Sequence, residues 1–340
     1  MTSQMSTSVC DQIIVERGDI MTRIGVLTSG GDAPGMNAAL RAVVRFGIDK
    51  GMDVWGVSRG YEGLLDGELE KMDRRSVGDI LQRGGTILKT ARSKRFMTEE
   101  GLERAARNLD TFRIDALVVI GGNGSYQGAL ELSRKGVNVI CIPGTIDNDL
   151  GYTDYTIGFD TAVNTVLDAI TRIRDTSSAH ERTSVIEVMG RHCGDIAIYS
   201  GLAGGAEAVL IPEVEPDMND LCLKVIEGIN RGRKHSIIIN AEGSEYSSSE
   251  VVDILSQRTG REVKMVVLSY LQRGGSPTLQ DRLLATQCGE KAIDLISSGM
   301  YNKAVGTVGG EVLGFDLEEA LAQENVFNRE LYDAIDVLSR

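Results

Sequence analysis

Six short apolar runs, each ending in a cluster of glycine, acidic or arginine residues, restrict the fold of this chain more than any other feature. Residues 24–27 precede Thr28-Ser29-Gly30-Gly31-Asp32, 116–120 precede Gly121-Gly122-Asn123-Gly124-Ser125, and 137–142 precede Gly144-Thr145-Ile146-Asp147-Asn148-Asp149. Residues 185–188 lead to Met189-Gly190-Arg191, 237–239 to Asn240-Ala241-Glu242-Gly243, and 263–268 to Gln272-Arg273-Gly274-Gly275. Mainly apolar runs of this length read as strands buried on both faces, as in parallel sheets. In open α/β sheets ligands bind beyond the carboxyl ends of the strands, so six such loops predict one shared cleft.

Helix-like segments at 37–50, 98–109, 126–135, 161–174, 221–230, 249–259 and 279–298 separate the runs, which is the pattern of βαβ units. Thr98 with Glu99 and Glu100 suits a helix start, and Gly51 a helix end. Ser247-Ser248-Ser249 reads as a polar turn or an N-cap. The expected fold is α/β, with two doubly wound, mainly parallel-sheet Rossmann-like lobes and the active site between them. One lobe takes residues 22–158 plus about 273–325, the other 159–272 plus the C-terminal segment. Residues 1–21 are expected to be a disordered extension, with Met21 a natural start before the first strand.

The 340 residues suffice for two full cores, and 42% hydrophobic with 25% charged residues is a globular composition. A net charge of −13 disfavours nucleic acid and anionic membranes as partners. No apolar stretch of about 20 residues marks a membrane span. Five cysteines without CxxC spacing fit reduced thiols in the cytoplasm, and the three histidines are too scattered for a zinc site.

Several loops carry two readings. The segment 144–149 is either an Asx-rich turn or a reactive loop with two carboxylates and a hydroxyl. Gly121-Gly122-Asn123-Gly124-Ser125 before a helix could cradle a phosphate, although the full GxGxxG is missing and no GxxxxGK[ST] occurs. Arg41 and Arg45, four apart on one helix, repel unless an anion lies between them, and Arg231-Gly232-Arg233-Lys234-His235 is a second basic cluster. Either cluster alone fits a solvated face.

The stretches IGVLTSGGDAPGMN, ALVVIGGNGSY, PGTIDNDL, YTIGFDTA, RDTSSAHERTSVIEVMGRHCGD and LQRGGSP resemble, in order and spacing, the bacterial ATP-dependent 6-phosphofructokinases over about residues 22–320. The resemblance implies phosphorylation of fructose 6-phosphate at its 1-hydroxyl by ATP with Mg²⁺, under allosteric control. It implies Asp147 as general base, Thr145 as the group orienting the phosphoryl, and Arg191 as the stabiliser of its charge. ATP would contact Gly31, Tyr61, Arg92, Ser93, Gly122, Asn123, Gly124 and Ser125 in the first lobe. The sugar phosphate would meet Thr145, Ile146, Asp147, Met189, Gly190, Arg191, Glu242, Lys264, Tyr270, Leu271, Gln272 and Arg273, with Arg182 supplied by a neighbouring subunit of a homotetramer. An ADP or phosphoenolpyruvate effector would meet Arg41, Arg45, Arg74, Arg174, Gly205, Glu207, Arg231, Arg233, Lys234 and His235.

Pyrophosphate-using relatives carry larger side chains where this chain has Gly124 and Gly144, so both positions are expected to stand open for ATP. Three positions depart from the family: Asn123 stands for the Mg²⁺-associated aspartate, Tyr270 for a histidine and Lys264 for an arginine. These leave a second reading, an attenuated paralogue serving as a regulatory subunit.

Overall fold

The computed structural model describes residues 22–339, so the expectations for residues 1–21 lie outside the described residues. In chain order the elements begin β1 (Arg23–Thr28), α1 (Met36–Asp49), β2 (Asp53–Val57), α2 (Gly60–Asp66), β3 (Leu69–Met72), α3 (Glu99–Thr111), β4 (Ala116–Gly121), α4 (Asn123–Arg134), β5 (Val139–Thr145) and β6 (Ile157–Gly158). There follow α5 (Phe159–Ala179), β7 (Thr183–Val188), α6 (Asp195–Gly204), β8 (Ala208–Leu210), α7 (Met218–Asn230), β9 (Ser236–Ala241), α8 (Ser248–Thr259) and β10 (Val263–Val267). After a 3₁₀ turn at Ser269–Arg273 come α9 (Leu279–Ser297), β11 (Lys303–Val308), β12 (Glu311–Asp316), α10 (Leu317–Ala322) and α11 (Arg329–Leu338).

All six apolar runs are strands, and they fall into two sheets. The first has the order β12-β11-β5-β4-β1-β2-β3, with β6 pairing β5; only the β2–β3 and β11–β12 pairs are antiparallel. The second has the order β10-β7-β9-β8 and is parallel throughout. β1, β4, β5 and β9 are buried along nearly their whole length, which is why they read as unbroken apolar runs.

Local signals set the helix ends. Thr98 accepts from the Gly101 N–H at 3.1 Å and caps α3. Ser247 and Glu250 form a reciprocal capping box on α8, so the triple serine is an N-cap. A buried carboxylate ties α9 to the start of α5: Asp281 accepts from the Gly158 and Thr161 N–H groups, both at 2.8 Å. Cys141, Cys193, Cys222 and Cys288 are free and buried; Cys10 lies outside the described residues. No helix among the described residues is long and apolar enough to cross a membrane.

Candidate active site

β1 and β4 lie side by side with Thr28 opposite Ile120, while the chain leaves β1 for β2 on the other side. The loops at their carboxyl ends therefore diverge and open a crevice. α4 starts at Asn123 rather than near residue 126, so the glycine-rich segment is mostly the first turn of the helix. Gly122, Asn123, Gly124 and Ser125 line the crevice; the Ser125 N–H donates to the Gly122 carbonyl at 3.0 Å, and the Asn123 and Gly124 N–H groups precede the helix's own ladder.

The crevice encloses about 700 Å³. Gly31, Tyr61, Arg92 and Ser93 line it as well, so every residue expected to hold ATP meets in one cavity. Tyr61 is buried, donates its hydroxyl to the Ser125 carbonyl at 2.5 Å and stacks on Phe96 at 4.0 Å, so it serves as wall rather than free donor. The Ser93 hydroxyl is likewise engaged, donating to Glu62 and accepting from the Phe96 N–H at 3.1 Å.

A Cβ at Gly124 would meet nothing within 4 Å, as expected of an open position. Gly144 differs: a Cβ there would lie 3.1 Å from both Ile120 and Met36, so packing already fills the space expected to stand open. Sequence reasoning missed Lys94, Phe96, Met97 and Leu102 on one wall and Gln127 and Glu131 on the other. The first group sits around an irregular segment with no period to read. The second could have been found, because 124, 127, 128 and 131 share one face of α4.

Asp147 reaches the same cavity from the end of β5. The loop is held by Asn148, which is buried in the left-handed region at φ 52°. Its amide donates to Asp195 at 2.9 Å, and its carbonyl accepts from the Thr156 N–H at 3.0 Å. Thr145 accepts from the Asp147 N–H at 3.2 Å and donates to Asp149. Burial, then the Asp149 and Glu242 charges, push the Asp147 carboxyl up to about 6, against the pull of Arg273 and Arg191. Burial raises Asp149 too, and its Oδ1 is buried without a partner. The Asp147 carboxylate, held there, suits proton transfer near neutral pH.

Arg273 comes from the 3₁₀ turn that follows β10, the edge strand of the second sheet. Its guanidinium lines the cavity and lies so close to Gly31 that a Cβ there would approach Nη1 to 2.6 Å. Gly190, at φ 137°, turns the chain out of β7, and the Gly243 N–H donates to its carbonyl at 3.2 Å. Arg191 lies 3.9 Å from Glu242 with a side chain 72% exposed, leaving it free to reach a ligand.

The remaining sugar-phosphate candidates separate. Gln272 is wholly buried, accepting from the Met189 N–H at 3.2 Å and donating to the Ser269 carbonyl at 3.1 Å, so it holds the Met189 loop in place. Ile146 is a core residue. Tyr270 and Leu271 are exposed and line a separate surface groove with Val267 and Gly275. Arg182 precedes β7, and Lys264 pairs with Ser184 at the same amino end of the sheet. Arg191 lies past the other end of β7, about 20 Å away for six strand residues. One chain therefore does not bring Arg182 and Lys264 to Asp147.

The effector candidates also form two groups. Arg45 donates to the Arg74 carbonyl at 3.3 Å, and Arg74 pairs with Asp49; Arg41 shares α1 with Arg45 and Asp49. In the second lobe Arg174 donates to the Gly205 carbonyl at 2.8 Å, Arg233 lies 3.5 Å from Glu207, and Lys234 pairs with Glu181. Burial, then Arg174 and Arg233, hold His235 below the usual imidazole range. Arg231 pairs with Glu227 at 3.1 Å and, with Arg233 and Glu207, lines a cavity of about 330 Å³. No hydrogen bond or ion pair joins the two groups among the described residues.

The phosphofructokinase family pattern matches residues 23–296. The chain belongs to the phosphofructokinase family. It is 55% identical over 320 residues, 94% of this chain and 100% of the other, to a Clostridium botulinum (strain Loch Maree / Type A3) protein named ATP-dependent 6-phosphofructokinase. A protein of that name from Alkaliphilus metalliredigens is 54% identical over 319 residues, again 94% of this chain and all of the relative.

Among solved structures, phosphofructokinase from Saccharomyces cerevisiae superposes with a TM-score of 0.85 at 34% identity. That match covers 92% of this chain but 50% of the yeast chain, so this chain spans half the yeast protein's length. A pyrophosphate-dependent phosphofructokinase from Marinobacter aquaeolei, 21% identical with a TM-score of 0.82 over 93% of this chain and 91% of its own, shares the phosphofructokinase fold.

Proposed function

We propose that the protein transfers the γ-phosphoryl of ATP to the 1-hydroxyl of fructose 6-phosphate, giving fructose 1,6-bisphosphate and ADP. The observation that carries this reading is the single cavity that joins the α4 N-terminus to Asp147 and Arg273. Phosphoryl transfer asks for positioning and charge stabilisation more than for covalent help. The carboxylate of Asp147 takes the proton of the 1-hydroxyl as its oxygen bonds to the γ-phosphorus and the bond to the β-phosphate oxygen breaks. Thr145 orients the phosphoryl group, and Arg191 neutralises its growing charge. The α4 N-terminus and Gly31 cradle the nucleotide phosphates, and Tyr61 walls the site.

The Asn123 carbonyl and the unpartnered Asp149 Oδ1 fit a Mg²⁺ ion whose other ligands are nucleotide phosphates and water. Bound there, the ion would offset phosphate charge. The sugar 6-phosphate takes Arg273 from the same chain and Arg182 with Lys264 from a neighbouring copy in a homotetramer. That assembly also brings the two arginine-rich effector groups together around ADP or phosphoenolpyruvate, in the cytoplasm.

The alternative of an attenuated regulatory paralogue has no observation in its favour, and the chain retains Thr145, Asp147 and Arg191. A coupled assay with ATP and with pyrophosphate as donors tests the proposal. Turnover with ATP supports it, turnover with pyrophosphate alone overturns the donor, and none with either overturns the activity.

A further inference from the structure

The nucleotide cavity extends from the phosphate end along one face of α4. Gly124, Gln127, Gly128 and Glu131, spaced i, i+3, i+4 and i+7, form the face of α4 that lines the cavity. The opposite wall is apolar, built from Phe96, Met97 and Leu102. At Gly128 the Tyr61–Phe96 stack comes so close that a Cβ would meet Phe96 at 2.8 Å and Tyr61 at 2.9 Å, which closes the floor. What remains is a slot that starts at the phosphate-binding first turn and runs along the helix. Glu131 lies two turns beyond Gly124, about 10.5 Å along the axis. That span matches the reach of a nucleotide from its phosphates to the far edge of its base.

Glu131 is paired through one oxygen only, in a salt bridge whose side chains are 44% and 52% exposed. Arg134 binds its Oε1 at 2.7 Å and is itself anchored to Glu318 on α10 at 2.9 Å. No hydrogen bond to Oε2 occurs among the described residues. An ionised carboxylate only accepts, whereas the neighbouring Gln127 amide can turn to donate or accept and so cannot discriminate. With Oε1 held, one oxygen is left, which suits a single amine better than the two adjacent donors of a guanine edge.

We infer that Glu131 is a specificity-determining residue that accepts a hydrogen bond from the exocyclic 6-amino group of the adenine base. This rests on the proposed use of ATP, and it adds how the base is told apart. The departing phosphate does not touch Glu131, so the effect falls on nucleotide affinity.

The test compares ATP with purine riboside 5′-triphosphate, which lacks only that amine, as donors to fructose 6-phosphate. The parent enzyme is expected to favour ATP in kcat/KM by about tenfold, as befits a charged hydrogen bond at a partly exposed edge, mainly through KM. Glu131→Gln and Glu131→Ala should shrink that ratio toward one, while Glu318→Ala, which only frees Arg134, should leave it in place. A parent that does not discriminate, an unchanged ratio in both Glu131 variants, or an equal shift in Glu318→Ala would overturn the inference. If no triphosphate is turned over, the proposed activity falls. Calorimetric titration of ADP against purine riboside diphosphate on the same variants then decides the role of Glu131 by the same criterion.

Discussion

Arg273 Nη1 donates to the main-chain carbonyl of Asp32 at 3.2 Å, tying the 3₁₀ turn that follows the second sheet to the loop that follows β1. The same guanidinium is a counter-charge for Asp147. Arg273→Lys should fail to rescue what Arg273→Ala loses, because an ammonium lacks the fork that serves both partners. We expect each to lower kcat/KM for fructose 6-phosphate by at least tenfold. Equal activity of the lysine variant and the parent would disprove this dual role.

Asp147 must be ionised to accept a proton, and its carboxyl is held up to about 6. Activity should therefore be full above that value and fall as pH drops through it, reported by the acid limb of kcat/KM. Asp149→Asn removes the nearby like charge, lowers the Asp147 pKa and should move the limb to lower pH. Asp147→Ala should cost about 10² to 10⁴ in kcat from the base role alone, and more if orientation is lost with it.

The two glycines near the donor site should separate in behaviour. Gly124→Leu projects into open space at the cavity wall and should cut kcat/KM for ATP by about a hundredfold while leaving the melting temperature unchanged. Gly144→Ala presses on Ile120 and Met36 and should lower the melting temperature instead. Thermal melts paired with ATP titrations of both variants check the contrast.

Asn148 satisfies two buried partners with one amide, so Asn148→Ala should cost about 1 to 3 kcal/mol of stability by stranding Asp195 and the Thr156 N–H. Asn148→Asp should cost more, because it sets a second carboxylate against Asp195. Chemical denaturation of the two variants ranks them.

Asn123→Asp adds a charge beside the proposed metal position. In a competent kinase adapted to asparagine, its rate against Mg²⁺ should match or fall below the parent's. A large rise on combining it with Lys264→Arg and Tyr270→His would revive the attenuated reading.

Most of the strands were legible because burial on both faces writes itself as runs of Val and Ile; β10 is the exception, a largely exposed edge strand whose Met265 and Val267 are each 47% exposed. α6 was not: it is apolar nearly all round, so no helical period marks it. β2, β3 and β12 are shorter or half-exposed, and β11 mixes Lys303, Gly306 and Thr307 into its six residues, so none gave a comparable run. At the site, Asp147, Thr145 and Asn123 stood out because their loops are dense in functional groups. Lys94 and Phe96 did not, since their place in the cavity comes from how the segment after β3 folds back over Tyr61. That Lys264 shares an edge with Arg182 depends on the register of β10 against β7, which no local pattern encodes.

The position of Arg182 and Lys264, a full strand's length from Arg191 along one sheet, has a genetic consequence under the shared-site reading. A chain disabled at Asp147 and a chain disabled at Arg182 are each inactive alone. Co-expressed, they would form mixed assemblies in which some clefts draw an intact base from one parent and an intact arginine from the other. Two null alleles would then complement, whereas alleles that both damage Asp147 would not.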